Sequence, residues 1–142
     1  MTRLRALAVT FSLATGLVAA APAGAPPDAE AVKAAAEPVM KQLEAFRRDD
    51  YDTAYTFASQ EIREIFDREA FERMVRMGYP EIARSVQAVV AESRLAPNGN
   101  VYLRLKIRGA NGNRVEALYE MVWEQGAWRI NGVVASPDPG LV

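Results

Sequence analysis

The chain predicts an α+β domain, with helices packed on one face of a four-stranded antiparallel sheet. Three observations carry that prediction. Residues 101–134 hold three consecutive stretches of alternating apolar and polar side chains. The N-terminal half instead carries apolar residues at helical spacing. The order, helices first and strands after, is that of helices laid against a sheet rather than alternating with its strands.

The sheet is the firmer part. Val101, Leu103, Leu105 and Ile107 alternate with Tyr102, Arg104 and Lys106. Val115, Ala117, Tyr119, Met121 and Trp123 form the next set, and Trp128, Ile130, Gly132 and Val134 the last. A period of two marks a strand with one dry face and one wet face. A slip of one residue would turn every apolar side chain outward, so the pattern also sets register. A three-residue turn at Ala110-Asn111-Gly112 pairs Ile107 with Val115, Leu105 with Ala117 and Lys106 with Glu116. It also sets Arg108 against Arg114, which predicts a frayed tip. A two-residue turn at Gln125-Gly126 pairs Trp123 with Trp128, Met121 with Ile130, Tyr119 with Gly132 and Ala117 with Val134. Ser85 to Leu95 fits a first strand that alternates less cleanly, and Pro97-Asn98-Gly99-Asn100 is a turn.

In chain order, residues 1–23 read as a secretory signal. Arg3 and Arg5 give a basic start, Leu7 to Ala21 an apolar run, and small residues follow. Cleavage is expected after Ala20 or Ala23. The run falls short of the roughly 20 apolar residues of a spanning helix, so a membrane role is expected only through an uncleaved signal. The protein is therefore expected to be exported, and periplasmic in a Gram-negative host. Residues 24–27 form a stiff leader, 28–136 a single domain, and 137–142 a tail.

Asp28 is placed to cap a helix from about Ala29, with Val32, Ala35, Ala36, Val39, Leu43 and Phe46 on one face. Pro38 lies inside that pattern, and a proline in a helix costs about 3 kcal/mol. The alternatives are a kink there or a firm helix that begins there; a kink is expected. Asp50 caps a short helix with Ala54, Tyr55 and Phe57, and Ser59 caps a turn with Ile62, Ile65 and Phe66. Asp67 caps a third helix with Phe71, Met74 and Val75, closed by Gly78. Tyr79-Pro80 predicts an extended segment.

Composition excludes several chemistries. The 142 residues contain no cysteine and no histidine. Disulfides, thiolate and imidazole metal sites, and every histidine-dependent triad are thereby ruled out. Without Arg3 and Arg5 the 17 basic side chains become 15 against 18 acidic ones, a net charge of −3. No uncompensated basic stripe remains, so no nucleic-acid partner is expected. No cofactor and no metal are expected either, since the charged run from Arg63 to Arg73 shows no ligand spacing.

Three segments carry a resemblance. They are Leu43 to Tyr55 (LEAFRRDDYDTAY), Met74 to Pro80 (MVRMGYP) and the closing Trp128 to Gly132 (WRING). Together they resemble the nuclear-transport-factor-2-like superfamily, close to a family of small exported bacterial proteins of unknown function. The resemblance implies a cystatin-like cone, with helices packed in the concave face of a curved sheet. It implies no single activity, because the superfamily holds both enzymes and non-catalytic modules. Its steroid isomerases need an aspartate base, missing from the dry face of the last three strands, and its dehydratases need histidine.

These readings yield candidate residues. Tyr55, Phe71, Met74, Tyr119, Trp123 and Trp128 are candidates for lining a ligand pocket. Tyr102, Leu118, Val122 and Val133, among the charges of the wet face, are candidates for a homodimer contact, with Leu118 opposite Val133. The leading expectation is a non-catalytic module that binds a small apolar ligand or a protein partner. One alternative is an acid–base enzyme using Tyr119 and a helix carboxylate such as Asp52 or Glu72. The other is a structural dimer with a filled core.

Overall fold

The computed structural model describes residues 27–140. The signal segment, the leader up to residue 26 and the last two residues of the expected tail lie outside the described residues. The chain divides into residues 1–31 and 32–142. Of the first unit only the opening of helix α1 is described. The second is α+β, with helices packed against an open four-stranded antiparallel sheet.

Helix α1 (Pro27–Arg47) begins two residues before the start expected at Ala29. Pro27 can open it because an N–H at the first helical position has no intrahelical acceptor, so the one proline lacks is not missed. The helix also runs uninterrupted through Pro38, so a firm start there is not what forms. The face carrying Ala35, Val39, Leu43 and Phe46 is buried, and that burial offsets the lost hydrogen bond.

Three short helices follow, each with the expected cap. Asp50 accepts from Thr53 N at 3.1 Å and starts α2 (Tyr51–Thr56). Ser59 accepts from Ile62 N at 3.2 Å and starts α3 (Gln60–Ile65). Asp67 accepts from Ala70 N at 2.8 Å and starts α4 (Arg68–Gly78). Caps of this kind contribute about 1 kcal/mol each. Where Tyr79-Pro80 suggested extension, Pro80 instead occupies the first turn of α5 (Pro80–Ala83). Tyr79 takes the non-helical conformation that a residue before proline favours, at φ −138°, and the helix restarts one residue later.

The strands are β1 (Ser85–Leu95), β2 (Val101–Gly109), β3 (Arg114–Glu124) and β4 (Ala127–Pro137), paired in sequence order. The β2–β3 register is the expected one, with Ile107 opposite Val115, Leu105 opposite Ala117 and Arg108 opposite Arg114. The tip is not frayed. Glu81 of α5 accepts from Asn111 at 3.0 Å and from Asn113 at 3.2 Å, and Ala110 N bonds Arg84 O at 2.7 Å. Gly109 permits this approach: a Cβ there would lie 2.9 Å from Glu81 Cα.

The β3–β4 register follows the expectation only near the turn. Trp123 faces Trp128 and Met121 faces Ile130, and then a bulge shifts the pairing. Asn131 is the extra residue. Its side-chain oxygen accepts from Ser59 Oγ at 2.7 Å and its amide donates to Glu120 at 3.3 Å, which anchors the bulge. Beyond it Tyr119 faces Val133 rather than Gly132, Ala117 faces Ala135 rather than Val134, and Leu118 faces Val134 rather than Val133. The strand also runs to Pro137, one residue past the expected domain limit, and Asp138 N bonds Arg114 O at 3.1 Å.

The buried face of β2 and β3 is Val101, Leu103, Leu105, Ile107, Val115, Ala117, Tyr119 and Met121. Strand β1 differs: after Ser85 nearly every residue is exposed, on both faces. This is why its sequence alternates poorly.

Candidate functional site

A cavity of about 210 Å³ lies between the helices and the inner face of β3 and β4. Helix α1 contributes Gln42 and Phe46, and α4 contributes Phe71, Met74 and Val75. Ala58, Ile62, Phe66, Tyr79 and Ile82 close the sides. The sheet supplies Tyr119, Ile130, Gly132 and Val133. The bulge shapes this floor, because it turns Val133 to the hollow, while Gly132, opposite Glu120 of the wet face, borders it with backbone alone.

Three polar side chains interrupt the apolar wall, and all are uncharged. Gln42 is buried and donates through Nε2 to Ala54 O at 3.0 Å. Tyr79 donates to Val133 O at 3.3 Å. The Tyr119 hydroxyl is shut away from solvent and has no hydrogen-bond partner among the described residues. Burial pushes its phenol well above the ordinary range, with a smaller push from Tyr79. No charged side chain of the described residues lines the cavity.

Of the pocket candidates, Phe71, Met74 and Tyr119 line this cavity. Tyr55 does not. Its ring packs on Phe71 at 5.2 Å, and its hydroxyl donates to Phe66 O at 2.6 Å. The tryptophans sit at the hairpin rim, edge to face at 5.4 Å, away from the cavity. Trp123 is 59% exposed, and Trp128 faces a separate shallow groove beside Pro38 and Lys41. The rim position follows from their place next to the Gln125-Gly126 turn, at the end of the hairpin. Val133, a candidate for the outer face, is on the inner one. The bulge moves it there and leaves Val134, 69% exposed, opposite Leu118. Tyr102 donates to Glu120 at 3.2 Å on the wet face, where Leu118 is exposed and Val122 half-buried.

The sequence reading missed Gln42. It lies three residues after Val39 and four before Phe46, in phase with the apolar stripe of α1. A polar residue at such a position was the available signal.

The helix carboxylates required by an acid–base enzyme do not line the cavity. Asp52 accepts from Arg68 Nε at 2.6 Å, and Glu72 accepts from Arg68 at 2.9 Å and Arg76 at 2.7 Å. Those two hydrogen bonds hold the Glu72 carboxyl below the ordinary range. Arg76 also reaches Asp49 at 3.2 Å and stands 4.5 Å over the Tyr51 ring. Arg84 completes the belt, on Asp49 at 2.8 Å, and its hydrogen bond is the main cause of that carboxyl's lowered value. Among the described residues no group of three or more acidic side chains is arranged to hold a metal ion.

Fold and site together define an α+β module with an apolar hollow between its helices and its sheet. More particularly, the chain belongs to a family described as a domain of unknown function, DUF4864, which matches residues 27–141. No curated protein matches it. Among solved structures it is similar to RPA3114, a SEC-C motif containing protein from Rhodopseudomonas palustris. That similarity has 19% identity and a TM-score of 0.48, over 72% of this chain and 81% of the other.

Proposed function

We propose that this protein is an exported, non-catalytic module that holds a small apolar ligand in the cavity beneath α4. The observation that carries the reading is the lining: apolar side chains and three neutral polar ones around about 210 Å³, with no carboxylate, amine or guanidinium among them. A general acid or base must come within hydrogen-bond reach of its substrate, and Asp52 and Glu72 are committed to arginines instead. The nuclear-transport-factor-2-like assignment belongs to the same proposal. It rests on the three sequence segments and accords with helices packed on one face of an antiparallel sheet.

Native mass spectrometry of protein purified from its own host tests the ligand. An added mass that leaves on denaturation is expected, and Met74→Trp, which fills the hollow, removes it. A ligand-free mass with an otherwise native charge distribution overturns the reading. N-terminal sequencing of the same preparation tests export, with a start after Ala20 or Ala23 expected.

A further inference from the structure

The cavity is apolar, yet it is not uniformly so, and its polar groups restrict what can fill it. An enclosed polar group without a partner is costly in a protein interior, because it has given up its hydrogen bonds to water and gained none in return. The Tyr119 hydroxyl is in that position: it is fully buried, belongs to a residue that lines the cavity, and has no acceptor among the described residues. Tyr51 also has a buried hydroxyl without a partner, but it packs against Phe46 at 5.2 Å and does not line the cavity. Tyr119 is therefore the one of the two that a bound molecule can relieve.

Charge restricts the ligand further. A carboxylate or an ammonium group loses its hydration on entering such a hollow and needs an opposite charge in return. The polar lining consists of Gln42, Tyr79 and Tyr119, none of which supplies one. Size sets a third limit. An engineered apolar cavity of about 150 Å³ admits benzene, so this one holds a single substituted ring or a short branched chain.

Resting on the ligand-binding reading above, we propose that the natural ligand is a neutral, ring-sized apolar molecule with one oxygen acceptor, a ketone, ester or ether, hydrogen-bonded by Tyr119. The phenol is suited to this task because an ordinary phenol is already protonated, as a donor, across the physiological range, and burial moves its titration further from that range. The Gln42 amide, with one N–H committed to Ala54, stands on the same lining as a second neutral contact.

Three isosteric probes test the proposal on the full chain: acetophenone, α-methylstyrene and benzoate. They differ in the group beside the ring, which is a carbonyl, a methylene or a carboxylate. Titration calorimetry is expected to give the ketone roughly tenfold tighter binding than the alkene, with benzoate weakest. Tyr119→Phe keeps the ring and is expected to reduce the ketone's advantage to less than about twofold while the alkene binds as before. Equal binding of ketone and alkene to the wild type overturns the polar recognition and leaves the apolar cavity standing. Tighter binding of benzoate overturns the neutral class. If no probe binds, the cavity reading fails and this inference fails with it. The wild-type ratio decides the matter even if the variant is poorly folded.

Discussion

Helix α4 has two faces that treat polar groups in opposite ways. On one, Glu72 and Arg76, four residues apart, join Asp49, Asp52, Arg68 and Arg84 in a belt where every charge has an opposite charge within 3.2 Å. On the other, Phe71 and Val75, also four apart, roof a hollow in which a buried hydroxyl has no partner. The belt is dense in the residue types that perform catalysis, and the hollow is almost bare of them. Yet each charge of the belt is already paired with an opposite one. Unmet bonding capacity beside open space is the better guide to a site, and of the two unpartnered buried hydroxyls only that of Tyr119 belongs to a residue lining the hollow.

The largest effect expected from breaking this contrast is on stability. Phe71 lies at the junction of the two faces, its ring 6.1 Å from Phe46 and 5.2 Å from Tyr55. Phe71→Ala is expected to cost about 3–5 kcal/mol, read as a fall in the urea midpoint. Arg76→Ala removes a part-exposed guanidinium from the Tyr51 ring and two screened ion pairs, and is expected to cost about 1 kcal/mol or less. A larger loss for Arg76→Ala than for Phe71→Ala would show that the belt, not the hollow's roof, organises the fold.

The two faces are also expected to fail at opposite ends of the pH scale. In the belt, the Asp49 and Glu72 carboxyls are held below their ordinary values by arginine hydrogen bonds. A depressed carboxyl contributes stability that is present above its unfolded value and lost as pH falls through the folded one. Urea midpoints are therefore expected to hold from neutrality down to the ordinary carboxylate range and to drop below it. In the hollow, the Tyr119 phenol is raised by burial. Its contribution is complete below the unfolded value near 10.0 and is lost as pH climbs above that. Tyr119→Phe is expected to soften the alkaline fall and leave the acid one untouched. Tyr51, also raised by burial, accounts for part of what remains.

How far the sequence discloses this molecule depends on whether a segment has one wet face and one dry face. Strands β2 and β3 do, and their register can be read from side-chain alternation down to the Lys106–Glu116 pair. Strand β1 has no dry face after Ser85, so it offers little pattern to read. In β4 the apolar residues Val133 and Val134 occupy both parities, and the alternation cannot show which faces inward. Asn131 decides it through bonds to Ser59 and Glu120, residues 72 and 11 positions away. The site is legible to the same degree. Tyr119, Phe71 and Met74 stand out as inward residues of periodic elements. The displacement of the tryptophans from the hollow depends on how far along the strands the cavity reaches, which no local pattern records.

The smallest effect concerns why the belt has an aspartate at its centre. Asp49 holds a left-handed backbone conformation at φ +57°, which non-glycine residues seldom adopt and which asparagine and aspartate tolerate best. It also bonds both Arg76 and Arg84. Asp49→Asn keeps the backbone tolerance and removes the charge, so it separates the two reasons. Exposed ion pairs are screened once the Debye length falls to about 3 Å at 1 M salt. The variant is therefore expected to melt slightly below the wild type in low salt and to match it in 1 M sodium chloride. A deficit that persists in high salt would mean that hydrogen-bond geometry, not charge, is what Asp49 gives the belt. Unchanged melting at both salt concentrations would mean that the backbone conformation alone selects the residue.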